Sequence, residues 1–238
     1  MKGHSKEATP GKQESLRKIA GKLGGILSHQ KWMRPIFVDA MAGDGVASQG
    51  FMSSPQILQG IANQFGFDFR AIEKDEERFK SLVDVVGEDS ALHGMCQDSL
   101  KLIDLESYRG GLIYFDPNGS EINAELDAMV DQASRLDCGD ILINVTATGL
   151  KRTNLYRTAQ LRHGFNKRFW YVRRPIGKWQ WVMMLGTSTD KIDPIPAIGF
   201  VQAWTDEGKD ILAKCDHTNR ELQELQSISE TPDFPAFC

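Results

Sequence analysis

Between residues 35 and 146 the chain alternates short apolar runs with amphipathic stretches, and no other feature restricts the fold as much. "PIFVDA" (35–40), "FDFRAIE" (67–73), "SALHGM" (90–95), "GLIYF" (111–115) and "DILINVT" (140–146) have the length and apolar content of buried strands. Between them lie helical patterns. "PQILQGIANQF" follows Ser53-Ser54, which supplies a serine cap with proline in the first turn. "DEERFKSLVDVV" carries acids where the helix dipole favours them. "SLKLIDL" and "NAELDAMVDQASRL" read as further helices. Strand followed by helix, repeated, predicts an α/β fold with a mainly parallel sheet. The pattern then changes. "KRFWYVRR" and "KWQWVMMLGTS" are β-rich and too close together for a parallel crossover, so the sheet is expected to close with an antiparallel pair.

At 238 residues, the length suits one large domain. We expect a flexible tail over 1–13, a single domain over 14–214 opening with a helix from Glu14 to Ser28, and a C-terminal tail over 215–238. A net charge of −4 gives no global basic field. Cys96, Cys138, Cys215 and Cys238 are widely spaced, and the five histidines form no ligand pattern, so no metal site is expected. With no apolar leader and no run long enough to span a bilayer, the expected location is the cytoplasm.

In open α/β sheets ligands sit beyond the carboxyl ends of the strands. Read in order, those ends give Asp39 with Ala42-Gly43-Asp44-Gly45, then Glu73, then Gln97-Asp98-Ser99, then Asp116-Pro117-Asn118-Gly119. Gly43 and Gly45 let a ligand approach the backbone. Glu73 can accept both hydroxyls of a ribose, and Asp98 can accept from an adenine amino group. Val46, Ala47 and Ser48 stand where a dinucleotide fingerprint needs its third glycine, which argues against NAD or FAD. Each element also has an ordinary reading as a turn, cap or solvated charge, Asp-Pro-Asn-Gly above all.

"FVDAMAGDG", "AIEKD", "CQDS" and "YFDPNG" resemble the successive motifs of S-adenosylmethionine-dependent methyltransferases. The resemblance covers 35 to about 187 and is most like the three-Cys-motif partner group and related phage or prophage enzymes. It implies a Rossmann-like methyltransferase fold: a mostly parallel seven-stranded sheet, an antiparallel C-terminal hairpin, and helices on both faces. It implies S-adenosylmethionine as cofactor, held by Asp39, Ala42, Gly43 and Gly45 at the methionine end, Glu73 with Lys74 at the ribose, and Asp98 with Ser99 at the adenine. Asp116, with Pro117 and Asn118, resembles the catalytic motif of amino-nitrogen methyltransferases, in which the acid accepts from the target amino group. Asn118 and Gly119 depart from that motif, where a proline and an aromatic stand.

From Lys151 to Lys178 there are nine Lys or Arg and no acid, with Tyr156, Phe165, Phe169, Trp170 and Tyr171 interleaved. Cations neutralise phosphates and aromatics stack on unpaired bases. Lys151, Arg152, Arg157, Arg173 and Arg174 are the expected contacts to nucleic acid, DNA rather than RNA; the alternative leaves them solvated beside a strand. The expected activity is methylation of a base amino nitrogen. The alternatives are methylation of a protein or small molecule, or a binding protein that keeps the fold without the chemistry.

Overall fold

The computed structural model describes residues 8–47, 50–117, 131–146, 158–175, 181–188, 199–217 and 221. Helix α1 spans Ala8–Ser28, then β1 Ile36–Asp39, α2 Ser54–Phe65, β2 Asp68–Glu73, α3 Glu76–Val86, β3 Ala91–His93, α4 Cys96–Leu102 and β4 Arg109–Phe115. There follow β5 Asp137–Thr146, α5 Thr158–Gly164, β6 Phe169–Arg173, β7 Trp181–Thr187, β8 Phe200–Gln202 and α6 Asp206–Asp216. The strands form one sheet in the order β3-β2-β1-β4-β5-β7-β6-β8. Strands β1 to β5 pair in parallel, β7 runs antiparallel to β5 and β6, and β8 antiparallel to β6. The α/β class, the Rossmann-like arrangement and the antiparallel β6–β7 pair agree with the sequence reading. Among the described residues the sheet has eight strands rather than seven: β8, only three residues long, is too short to show a period. Helices α5 and α6 were likewise not expected, and α1 begins at Ala8, inside the segment expected to be a tail. Most of "NAELDAMVDQASRL" lies outside the described residues.

Both sheet faces are covered, which makes the parallel strands continuous apolar runs rather than alternating ones. One face carries Val38, Ile113, Phe115, Ile143 and Met184 under α4, α5 and α6. The other carries Phe37, Leu112, Tyr114, Leu142 and Leu185 under α1, α2 and α3. Glycines permit three close approaches. A Cβ on Gly24 of α1 would lie 2.5 Å from the Phe65 ring of α2, so a residue that weakens the helix allows it to pack. A Cβ on Gly111 would lie 1.9 Å from the Ile36 carbonyl oxygen, with φ at +140°. Trp170 lies flat on Gly186, its partner across the β6–β7 pair.

Candidate active site at the carboxyl edge

The carboxyl ends of β1, β2 and β4 converge on a cleft lined by Ala40, Met41, Gly43, Ile72, Glu73, Lys74, Arg78, Gly94, Cys96 and Asp116. Its enclosed part is about 80 Å³, and it opens to solvent alongside. Four expected residues, Gly43, Glu73, Lys74 and Asp116, therefore meet in one place although 73 positions separate the first from the last.

The loop after β1 is fixed at both ends. The Ala42 amide donates to the Ile72 carbonyl at 2.8 Å. The Ser53 hydroxyl donates to the Gly45 carbonyl at 2.6 Å, and the Gln56 side chain accepts from the Ser53 amide at 3.0 Å, which starts α2. Gly43 has φ +67° and nothing within 4 Å of where its Cβ would stand, so the backbone is bare to the cleft. Gly45, at φ +69°, does a different job: its Cβ would touch Leu82 and Val85 of α3 at 3.0 and 3.3 Å. It brings the loop onto α3 and does not line the cleft.

Asp39 is wholly buried. One carboxylate oxygen accepts from the Met41 amide at 3.3 Å, and the other has no hydrogen-bond partner among the described residues. Burial pushes its pKa up to about 7; the nearby Ser54 side chain and the Met41 amide pull it down, and the charge on Asp116 adds to the rise. Ser54 approaches without hydrogen-bond geometry to the free oxygen. Glu73, buried at the end of β2, accepts from the Asp75 amide at 2.8 Å, which holds its carboxylate at the cleft wall.

Asp116 is held by both oxygens. Asn144 Nδ2 on β5 donates to Oδ1 at 2.7 Å, and Lys12 Nζ on α1 donates to Oδ2 at 2.5 Å. An ionised carboxylate only accepts, so it fixes which way the Asn144 amide faces. Asn144 is fully buried, and its oxygen has no partner among the described residues. Beside Asp116 lies the Tyr114 hydroxyl, also buried; it is close enough to Asp116 to feel its carboxylate as a hydrogen-bond acceptor but meets strict hydrogen-bond geometry with no described residue. Burial, then the charges of Asp116 and Asp39, raise its pKa well above the ordinary tyrosine value, so it remains a neutral donor.

Like Asp39, Ala42 and Gly45, three further expected residues are not among the cleft's lining. Asp98 is exposed in the first turn of α4 and pairs with Lys101 at 2.9 Å. Ser99 is buried behind Gly94, where a Cβ would stand 2.9 Å from its hydroxyl. Pro117 follows Asp116 and is buried. Asn118, Lys151, Arg152 and Arg157 lie outside the described residues. The two expected nucleic-acid contacts Arg173 and Arg174 differ in burial, the first closing β6 and the second just past its end. Arg174 is exposed and makes a two-pronged pair with Glu207 at 2.6 and 2.9 Å. Arg173 is only 7% exposed. Burial lowers its pKa to about 10, and the neighbouring Tyr114 raises it.

The sequence reading missed Arg78, Gly94 and Cys96 on the cleft wall, and Lys12 and Asn144 on Asp116. Gly94, directly after β3, had a signal of the same kind as Gly43. Lys12 and Asn144 had none, because only the packing of α1 and β5 brings them to β4. Among the described residues no helix is long and apolar enough to cross a membrane, and no cluster of His, Cys, Asp or Glu is placed to hold a metal ion.

No family model matches the chain, and no curated protein matches it. Three solved structures align with it at TM-scores below 0.5. A Legionella pneumophila protein of a family of unknown function is 12% identical, with a TM-score of 0.48 over 84% of this chain and 90% of that one. A TehB-like S-adenosylmethionine-dependent methyltransferase from Corynebacterium glutamicum is 9% identical, with a TM-score of 0.38 over 71% and 88%. An rRNA methylase from Streptococcus thermophilus is 15% identical, with a TM-score of 0.40 over 68% and 96%.

Proposed function

We propose that the protein is an S-adenosylmethionine-dependent methyltransferase acting on an amino nitrogen of a nucleic-acid base. The observation that carries this reading is the convergence of Gly43, Glu73 and Asp116 on one cleft at the carboxyl edge of the sheet. The residues present suit the cofactor. The free oxygen of buried Asp39 is an acceptor for an ammonium group, bare Gly43 admits a ligand against the backbone, and Glu73 is an acceptor for ribose hydroxyls. Lys74, beside Glu73 on the cleft wall, belongs to the same end. Bound there, S-adenosylmethionine supplies a methyl group activated by a sulfonium. Asp98 and Ser99 are retained for the adenine end only through their place on α4, and Pro117 and Asn118 only through the motif.

Asp116 is the group proposed to touch the acceptor. Its carboxylate accepts from the amino group, turns the nitrogen lone pair toward the methyl, and stabilises positive charge that develops on the nitrogen as the bond forms. Positioning supplies much of the rate, because the electrophile is already activated. Lys12 holds the same carboxylate, so an acceptor's amino group must share or replace that contact.

Transfer of labelled methyl to DNA, RNA and protein is the test. Transfer to nucleic acid that Asp116→Ala reduces by orders of magnitude, with cofactor affinity nearly intact, supports the reading. Transfer to protein alone, or none to any acceptor, overturns it.

A further inference from the structure

Helix α1 lies over the sheet face that carries Phe37, Leu112 and Tyr114, seated there by buried Leu16, Ile19, Ala20 and Leu23. Asp116, two residues after Tyr114, continues that face. Residues four apart share one side of a helix. Lys12, one turn before Leu16, therefore points toward the sheet, and its Nζ reaches Oδ2 of Asp116 at 2.5 Å. Lys18 of the same helix points outward and pairs with Glu14 at the surface at 3.2 Å.

Two features set the Lys12 contact apart from a surface ion pair of that kind. The first is the carboxylate. Asp116 lines the cleft, and Asn144 Nδ2 already occupies its Oδ1 at 2.7 Å. Oδ2 is the position left for an amino group, and a primary amine of the chain's own stands on it. The second is access to water. The Lys12 and Asp116 side chains are 23% and 18% exposed, so the pair is largely covered yet borders solvent, and a proton leaving the amine has a way out. The charge of Lys12 is also felt at buried Asp39, the residue assigned above to the methionine end of the cofactor.

We propose that Lys12 Nζ is itself a methyl acceptor, so that the protein methylates its own helix α1 in cis. The proposal rests on the reading of the cleft as an S-adenosylmethionine site and adds an aliphatic primary amine to the base amino group as a class of acceptor. The ammonium first gives up one proton, through the Asp116 carboxylate, to the bordering water. The neutral amine keeps an N–H on Oδ2 and turns its lone pair away from the carboxylate, toward the sulfonium. That lone pair forms the new N–C bond while the methyl C–S bond breaks and leaves its electrons on sulfur. The products are the thioether S-adenosylhomocysteine and a methylammonium that carries the positive charge the sulfonium has lost. A methylated lysine keeps its charge, so the pair with Asp116 forms again. A second transfer follows the same steps, because a neutral secondary amine still has one N–H for Asp116. A neutral tertiary amine has none, so the expected products are the mono- and dimethyl forms. Lys74 lines the same cleft but belongs to the Glu73 end, which makes it an internal comparison.

The test incubates the full chain with S-adenosylmethionine and no other acceptor, and reads the product by intact mass and peptide mapping. One or two methyl groups on Lys12 are expected, and none on Lys18, Lys22 or Lys74. The methylated fraction at a given time should not change with protein concentration, the mark of transfer within one chain. The rate should climb with pH, because only the neutral amine attacks. Lys12→Arg keeps a charge and a donor for Asp116 and should take no methyl at position 12. Asp116→Ala should slow transfer to Lys12 by orders of magnitude. Methyl already present on Lys12 in the purified wild type, and missing from Asp116→Ala, is the same result. Calorimetry with S-adenosylmethionine accompanies each protein. Cofactor binding without any methyl on Lys12 overturns the proposal and leaves the cofactor reading standing. No cofactor binding by the wild type overturns both. Methylation of Lys12 that speeds up with protein concentration, or that proceeds at the wild-type rate in Asp116→Ala, overturns transfer in cis on Asp116. Methyl on Lys12 in a protein that methylates no nucleic acid supports the proposal and overturns the substrate reading.

Discussion

Asp39→Asn is expected to stabilise the free protein and weaken the cofactor complex at the same time. Asp39 is fully buried, with one oxygen bonded to the Met41 amide and the other unmet. Its pKa of about 7 compares with 3.8 for an unperturbed aspartate, and burial is the main cause. A rise of roughly three units corresponds to at most about 4 kcal/mol. The folded state binds the proton more tightly than the unfolded chain does. The stabilisation is therefore complete below about pH 4, declines as pH rises, and is lost above about pH 7. Asp140, buried and also raised to about 7, adds a slope of the same sign in the same window. Asparagine carries no charge, so Asp39→Asn should remove the Asp39 share and leave that of Asp140. At pH 8 the free variant should be more stable by up to the same amount. Each 1 kcal/mol is worth roughly 2–4 °C in Tm for a domain of this size. The assay is urea unfolding of both proteins from pH 4 to 8.5, with calorimetric titration of S-adenosylmethionine at pH 8. A cofactor that brings an ammonium to the free oxygen should bind the wild type more tightly, because only the carboxylate offers it a counter-charge. Identical pH profiles of stability in the two proteins would refute the reasoning. Equal cofactor affinity would refute the placement of the ammonium.

Gly43→Val should reduce S-adenosylmethionine affinity sharply, since φ at +67° disfavours a branched residue and its side chain would enter the cleft; Glu73→Ala should cost about tenfold or more. Calorimetry checks both, and unchanged affinity in the pair would remove the cofactor assignment. Asp116→Asn keeps an acceptor oxygen and should retain partial methyl transfer where Asp116→Ala retains almost none, measured as initial rates at saturating cofactor. Gly111→Ala should destabilise the fold by several kcal/mol, because the new Cβ meets the Ile36 carbonyl oxygen at 1.9 Å and φ is +140°, and thermal unfolding reads this directly. Nucleic-acid binding should weaken steeply with salt, and Arg174→Glu should weaken it further while leaving cofactor affinity alone. The Arg174–Glu207 pair is exposed, so losing it should leave stability nearly unchanged.

The sequence by itself determined what depends on neighbours along the chain. Apolar runs such as Leu112–Phe115 and the Ser53 cap before Pro55 set strand and helix positions, because period and capping are local. Strand ends placed Gly43, Glu73 and Asp116 at one edge, because parallel strands share a direction. Tertiary structure decided what depends on which side chains meet. Gly45 and Gly43 look alike in sequence, yet packing against Leu82 makes one a contact with α3 and leaves the other bare to the cleft. Arg173 and Arg174 are adjacent and chemically identical, yet the first, closing β6, is buried and the second, just past the strand, is exposed. Lys12 lies 104 residues from Asp116, and only the packing of α1 across β4 brings them together. Charge and glycine content are properties of the sequence; burial, which decides whether a charge needs a partner and whether a missing side chain leaves room for a ligand, exists only once the sheet and its covering helices have formed.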